Sequence, residues 1–196
     1  IVESEEVADP DRLLLRLADI FAQLDRVAIA AGQKVVMFYD PRNPVPSQSA
    51  KFAREAAQQM GIQFVERHIA SVEELQAGVL ALRAGEVDAY FAVSDAMASN
   101  QAQMIIDTAR VKKLPTIFDF LSSVIKGGLA SYSVSYHEVG RLSAKYVQRI
   151  LTGVKPMDLP VEGIDKIDRV INLKAAKQIG LTIPQSVLYR ADKVIK

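Results

Sequence analysis

Three polar side chains follow the apolar run KVVMFY, and their types suit the binding of an anion. Asn43, Ser47 and Ser49 lie at or near the start of a predicted helix. A helix N-terminus binds anionic groups because its first N–H groups have no partner within the helix. Serine is equally suited to capping a helix. The pattern therefore leaves two interpretations open, an anion-binding loop and a simple cap at Ser47.

Acidic and aromatic side chains follow two further apolar runs. Asp95 comes after VDAYFAVS, and Asp119 comes directly after LPTIF, which ends at Phe118. Asp95 would pair with a ligand ammonium or cap its own loop, and Asp119 would hydrogen-bond a ligand. Phe118 would stack on a ligand, although a single Phe at a strand end is more often part of the core.

Other chemistries have no signature in the sequence. There is no Cys, and His68 and His137 lie far apart without other metal ligands near them, so we expect no metal site. The sequence contains no G-x-S-x-G, G-x-G-x-x-G or P-loop motif. The net charge of +1 argues against nucleic acid as a partner. We therefore expect no cofactor and no enzymatic activity.

The elements that position these residues are predicted to alternate between strands and helices. Short apolar runs predict strands that begin near residues 34, 62, 88 and 114, and helices over about 47–60, 72–84 and 99–111 separate them. This spacing is that of a strand plus a crossover helix. We therefore predict an α/β fold, a parallel sheet in a three-layer sandwich. The candidate residues would meet where the strands end.

The two ends of the chain show different patterns. An amphipathic helix is predicted over 11–31. After residue 127 the sequence predicts a short strand in KGGLASYSVS, a helix in YHEVGRLSAKYVQRILTG and an extended KPMDLPVEG. The tail, VINLKAAKQIGLTIPQSVLYRADKVI, predicts a short helix, a stop at Pro184 and a second helix.

Several motifs of the second half resemble one known family. In chain order they are GGLASY, GRLSA, ILTGVKPMDLPVE, INLKAAKQIGL and LYRADKVI, and weaker similarity continues upstream through KVVMFYDPRNP, AAQQMGI and RAGEVDAYF. The chain resembles the substrate-binding proteins of ABC importers that have the type I periplasmic-binding-protein fold. Some members of that family take aromatic amino acids. The similarity covers nearly the whole chain.

The resemblance implies two lobes with the ligand between them. Residues 33–127 would form a complete second lobe, 1–32 a hinge-proximal segment and helix, and 128–165 a return into the first lobe. Residues 166–196 would be crossing helices packed on the second lobe. The opening half of the first lobe would precede Ile1. We therefore expect exposed apolar surface near residues 129–159 and self-association of this chain.

The resemblance also implies where the ligand lies. The matching positions are the loop from Asp40 to Ser49, the loop from Ser94 to Asn100 with Asp95 as the ammonium partner, and the strand end at Phe118. The candidate ligand-binding residues are Asp40, Asn43, Ser47, Ser49, Ser94, Asp95, Ala96, Phe118 and Asp119.

The function implied by the resemblance is that of a non-enzymatic receptor, the substrate-binding component of an ABC importer. Its expected partners are a small molecule such as an amino acid and the permease of the importer. We expect a periplasmic or extracytoplasmic location, with the export signal outside this piece, since no signal-peptide pattern follows Ile1. Two alternatives stay open, a sensory or regulatory domain of the same fold and a flavodoxin-like enzyme.

Overall fold

The computed structural model describes residues 33–83, 85–93 and 95–196, and within them seven strands form one sheet. The helix predicted over 11–31 and the candidate residue Ser94 lie outside the described residues. The strands are β1 (Lys34–Tyr39), β2 (Gln63–His68), β3 (Ala89–Phe91), β4 (Thr116–Phe118), β5 (Ala130–Val134), β6 (Ile167–Asn172) and β7 (Lys193–Ile195).

Helices connect these strands on both faces of the sheet. They are α1 (Pro44–Gln59), α2 (Val72–Ala81), α3 (Ala96–Asn100), α4 (Ala102–Val111), α5 (Leu121–Ile125), α6 (Tyr136–Leu151), α7 (Leu173–Ile179) and α8 (Gln185–Leu188), with a 3-10 turn at Pro156–Asp158. None of these helices is long and apolar enough to cross a membrane.

The strand order is β2-β1-β3-β4-β5-β6-β7. The first five strands are parallel to their neighbours, β6 runs antiparallel to β5, and β7 is parallel to β6. The predicted α/β fold with a mainly parallel sheet is confirmed. The carboxyl ends of β1, β3, β4 and β5 therefore meet at one edge, where ligands bind in sheets of this kind.

The sheet is buried on both faces by two apolar clusters. Val35, Met37 and Tyr39 of β1 pack on the face covered by α1, and Val36 and Phe38 pack on the face covered by α2 and α4. Successive residues of a strand point to opposite faces. The run KVVMFY is continuously apolar because both of its faces are covered.

The tail contains the two helices predicted there, and it also extends the sheet, which the sequence did not predict. Its helices α7 and α8 exist, but the residues before and after them form β6 and β7. Gly180, with φ of 77°, ends α7 in the left-handed conformation that glycine adopts most easily. Pro184 does not end that helix, since it stands at the cap position before α8. A third apolar cluster, including Leu129, Ala176 and Val187, joins the tail to β5.

The segment from β5 to the start of β6 has two parts with different packing. β5 lies in the same sheet as β1–β4, so the boundary predicted at residue 128 is not a boundary of the sheet. Helix α6, by contrast, has no buried residue along the 16 residues that the structure describes for it. The Tyr146 hydroxyl donates to the Pro160 carbonyl (2.6 Å) and Lys145 pairs with Glu162 (3.0 Å), which ties the following loop to α6.

Exposed apolar residues cluster on α6 and the loop after it. They are Tyr136, Val147, Ile150, Leu151, Met157 and Val161. This agrees with the exposed surface expected for this part of the chain, except that Leu129 is buried. Self-association and the domain boundaries at 32, 127 and 165 stay predictions.

The contact between Gly128 and Phe118 generates a stability prediction. A Cβ at Gly128 would lie 2.8 Å from the buried Phe118 ring and 3.0 Å from the carbonyl oxygen of Ser123. Gly128→Ala should therefore lower the free energy of unfolding by about 1–3 kcal/mol through overpacking. The measurement is the midpoint of urea unfolding.

Gly163→Ala is the matched control, because a Cβ there meets no atom within 4 Å and its backbone is not left-handed. We expect its midpoint to stay close to that of the wild type. Equal midpoints for the two variants would show that the Phe118 ring is free to move aside.

Candidate functional site

The carboxylate of Asp95 lies between the ends of β1 and β3. Its Oδ1 accepts the N–H groups of Met97 (2.8 Å) and Ala98 (3.3 Å), which makes Asp95 the N-cap of α3. Its Oδ2 lies 3.5 Å from the backbone N of Asp40. The residue is 3% exposed. The capping interpretation is therefore confirmed, and one carboxylate oxygen has only a long contact within the described part of the chain.

The carboxylate of Asp40 is held by Arg42. Arg42 donates to it from its backbone N–H (2.9 Å), from Nε (2.9 Å) and from Nη2 (2.8 Å), and Nη2 also donates to the Ala70 carbonyl (3.0 Å). These bonds from Arg42 keep the pKa of Asp40 below its ordinary value. Arg42 therefore fastens the loop after β1 to the loop after β2 while Asp40 holds its guanidinium, and the Asp40 carboxylate already has strong partners.

The start of α1 has no backbone donor left for an anion among its first four described positions. Pro44 and Pro46 have no N–H. The Val45 N–H donates to Asn43 Oδ1 (3.1 Å) and the Ser47 N–H to the Asn43 carbonyl (3.3 Å). The cap is thus Asn43, and the helix starts at Pro44, three residues before the start that the sequence predicted at Ser47. Because these positions leave no free N–H group, the prediction that backbone donors at this helix start bind an anion is wrong.

The two serines of α1 direct their hydroxyls to the backbone. Ser47 Oγ donates to the carbonyl of Asn43 (2.7 Å) and lies 3.0 Å from that of Pro41, and Ser49 Oγ donates to the carbonyl of Val45 (3.1 Å). Local bonds of this kind satisfy a hydroxyl without a ligand. Ligand contacts from Ser47 and Ser49 stay a prediction.

The ends of β4 and β5 present an aromatic pair that the sequence interpretation missed. The rings of Phe120 and Tyr136 are stacked, with centroids 5.8 Å apart and planes inclined by 30°. Tyr136 is 56% exposed, and Asp119 beside Phe120 is partly exposed. Partial burial, and then the charge of Asp119, raises the pKa of Tyr136.

Phe118 does not belong to this exposed pair. Its side chain is 3% exposed and packs in the cluster beneath α4, beside the ring of Tyr90 at 6.3 Å. The alternative core role therefore fits, and a ring buried in this way offers no face to a ligand. The other candidate on α3, Ala96, is exposed at the first position of the helix next to Asp95.

Asp40, Asn43, Asp95 and Asp119 thus share one edge of the sheet with the Phe120–Tyr136 pair. Across the described ranges, no group of three His, Asp or Glu side chains is arranged to hold a metal ion. This edge of the sheet presents a nearly buried carboxylate, that of Asp95, and the aromatic surface of Phe120 and Tyr136.

The sequence of the chain matches the family described as ABC transporter substrate binding protein over residues 25–195. The chain belongs to this family. No curated protein matches it.

Solved structures resemble this substrate-binding protein over most of its length. A conserved domain protein from Vibrio cholerae O1 biovar El Tor is 27% identical with a TM-score of 0.80, over 91% of this chain and 60% of that one. The ABC domain in complex with L-Trp from Streptococcus pneumonia is 23% identical, with a TM-score of 0.79, over 94% and 60%.

A third structure is the ligand-free, open form of CD0873, a substrate binding protein with adhesive properties from Clostridium difficile. It is 23% identical with a TM-score of 0.70, over 90% of this chain and 58% of that one. The two structures at 23% identity show that the fold is shared. The chain spans about three fifths of the length of these relatives.

A second polar cluster of this substrate-binding protein joins β1, β2 and α1. Arg54 donates to Glu66 from Nε (2.8 Å) and Nη2 (2.9 Å), and the Tyr39 hydroxyl donates to Glu66 Oε2 (2.7 Å). His68 Nε2 lies 3.1 Å from the same hydroxyl. Because Tyr39 uses its proton toward Glu66, the hydrogen between Tyr39 and His68 belongs to the histidine. The sequence interpretation missed this cluster.

The Asp95 cap generates a prediction on stability. Asp95→Ala should lower the free energy of unfolding by about 0.5–2 kcal/mol, because the first N–H groups of α3 lose their acceptor. Asp95→Asn should cost less, since asparagine caps a helix nearly as well. The comparison is made by urea unfolding of the ligand-free protein. Equal losses in the two variants would mean that the charge of Asp95, and not its cap, stabilises the fold.

The Tyr39 hydroxyl generates a prediction on pH dependence. Burial, and then the bond to Glu66, raises the pKa of Tyr39 from 10.0 to about 12. Because the folded-state pKa is the higher one, this stabilisation is complete below pH 10 and is lost as the pH rises to about 12. Tyr39→Phe should flatten the decline of the unfolding midpoint over that window. Tyr189→Phe, at an exposed position, is the control that should leave the decline unchanged.

Proposed function

We propose that this protein is the substrate-binding component of an ABC importer and that it binds a small molecule carrying a protonated nitrogen. The observation that carries this proposal is the Asp95 carboxylate, which is nearly buried beyond the carboxyl end of β3. Among the described residues, its Oδ2 has a single long contact, 3.5 Å to the backbone N of Asp40. An ammonium group forms strong, short hydrogen bonds with such an oxygen. Withdrawal from water strengthens the attraction between the two charges.

The aromatic pair indicates the shape of the ligand. Phe120 and Tyr136 present a stacked, partly exposed surface at the ends of β4 and β5. Aromatic side chains suit flat apolar groups and also attract cations. The related structure from Streptococcus pneumonia holds L-Trp, which has both an ammonium group and a flat ring. An amino acid with an aromatic side chain is therefore the first ligand to test.

Closure of two lobes around the ligand would link binding to transport. A ligand that contacts both lobes favours the closed state, because only that state makes both sets of contacts. The closed form would then present the surface that the permease recognises, outside the cytoplasmic membrane. The proposal assigns the chain no reaction, since its family consists of binding proteins.

The first test screens the twenty common amino acids by thermal shift and measures the affinity of those that stabilise the protein by calorimetry. Asp95→Asn should weaken binding of such an amino acid by about tenfold or more, because hydrogen bonds to charged groups are worth about 1.5–3 kcal/mol. The substitution keeps the cap of α3, so the loss would report on the charge.

Asp107→Asn is the matched control, since it removes the same charge from an exposed position on α4. Its affinity should equal that of the wild type. An affinity that is the same in Asp95→Asn as in the wild type would exclude Asp95 as the ammonium partner.

A further inference from the structure

The hydroxyl of Tyr90 is buried and makes no hydrogen bond to any described residue. Tyr90 is 1% exposed and stands on β3, five residues before Asp95. Buried hydroxyl groups in proteins are nearly always paired, because an unpaired one loses its bonds to water without replacement. A phenylalanine would fill the same space without this cost. The hydroxyl is therefore the feature of this position that requires an explanation.

The Tyr90 ring lies beside two aromatic rings of the neighbouring strands. Tyr90 is paired in register with Val36 on one side and Thr116 on the other. Its ring nevertheless lies 6.1 Å from that of Phe38 and 6.3 Å from that of Phe118, each two residues further along its strand. Tyr90 therefore packs against two rings that stand nearer than itself to the edge where Asp95 lies.

The first turn of α3 packs on the same apolar cluster as Tyr90. Ala98 is a buried member of this cluster and Met97 packs against it. These are the two residues whose N–H groups bind Asp95 Oδ1. Tyr90 and the helix start that Asp95 caps therefore belong to one apolar cluster.

The Asp95 carboxylate has room for a further donor. A carboxylate accepts about four hydrogen bonds. Asp95 has two at Oδ1 and, at Oδ2, one long contact to the Asp40 N–H in the described structure. A ligand that covers the site removes water from this carboxylate, so protein donors are then needed to hold it in place.

We propose that Tyr90 is a positioning residue for Asp95, whose carboxylate it binds through its hydroxyl when a ligand's protonated nitrogen occupies the site. The inference rests on the proposed function and adds a residue to it. Burial, followed by the charges of Asp95 and Asp119, raises the pKa of Tyr90, so the hydroxyl keeps its proton and acts as a donor at neutral pH.

Tyr90→Phe separates this role from a purely structural one. The variant removes the hydroxyl and keeps the ring, so the ligand-free protein should unfold at an equal or higher temperature. Its affinity for the amino acid that gives the largest thermal shift among the twenty should fall by about three- to tenfold, the worth of one hydrogen bond. A role in packing alone would change stability and affinity in the same direction.

Ser131→Ala is the matched control. Ser131 on β5 carries the other buried hydroxyl that lacks a partner among the described residues, and it is two strands away from β3. Its removal should leave the affinity unchanged. In an Asp95→Asn background, Tyr90→Phe should cause little further loss, because the residue acts through Asp95.

Three outcomes would overturn the inference. If Tyr90→Phe binds as tightly as the wild type while Asp95→Asn binds weakly, the hydroxyl has no role and the proposed function stands. If Tyr90→Phe weakens binding equally with and without Asp95, the residue does not act through that carboxylate. If the wild type binds none of the twenty amino acids, the proposed amino-acid site fails, and the role of Tyr90 fails with it.

Discussion

The carboxyl edge of the sheet depends on the hydrogen bonds of one carboxylate, that of Asp95. Its Oδ1 accepts the first N–H groups of α3, and its Oδ2 faces the backbone N of Asp40 at the end of β1. A carboxylate removed from water is stable only where donors surround it. Helix α3 supplies two of those donors. The helix start therefore stabilises the buried charge of Asp95, and Asp95 in turn caps the helix. The same side chain serves the fold with one oxygen and is suited to a ligand with the other.

The polar groups around Asp95 are mostly satisfied by the protein itself. Asp40 is bound by Arg42, and the described N–H groups at the start of α1 are either bonded to Asn43 or absent at Pro44 and Pro46. The described start of α1 thus has no unused backbone donor for an anionic group, whereas Oδ2 of Asp95 is the proposed acceptor for a protonated nitrogen. The proposed preference of this site for the positive part of a ligand rests on this asymmetry.

The sequence was informative where one strand or one helix start decides the structure. The run KVVMFY predicts a strand covered on both faces because every residue in it is apolar, and Asp95 follows from its place at a strand end. The sequence interpretation missed the features in which two segments far apart in the chain come into contact. Tyr136 meets Phe120 across the ends of two strands, and Tyr39 reaches Glu66 through the register of β1 with β2. β6 and β7 were missed because strand formation depends on pairing with a neighbour more than on local preference.

Helix α6 connects the site to a surface that the described chain leaves open. It has no buried residue in the described structure, and its apolar face includes Val147, Ile150 and Leu151. A helix of this length owes most of its stability to packing of its apolar face, so α6 requires a covering surface. Tyr136 is the first residue of α6 and half of the aromatic pair. Tyr136 therefore links the exposed apolar helix α6 to the aromatic pair at the carboxyl edge of the sheet.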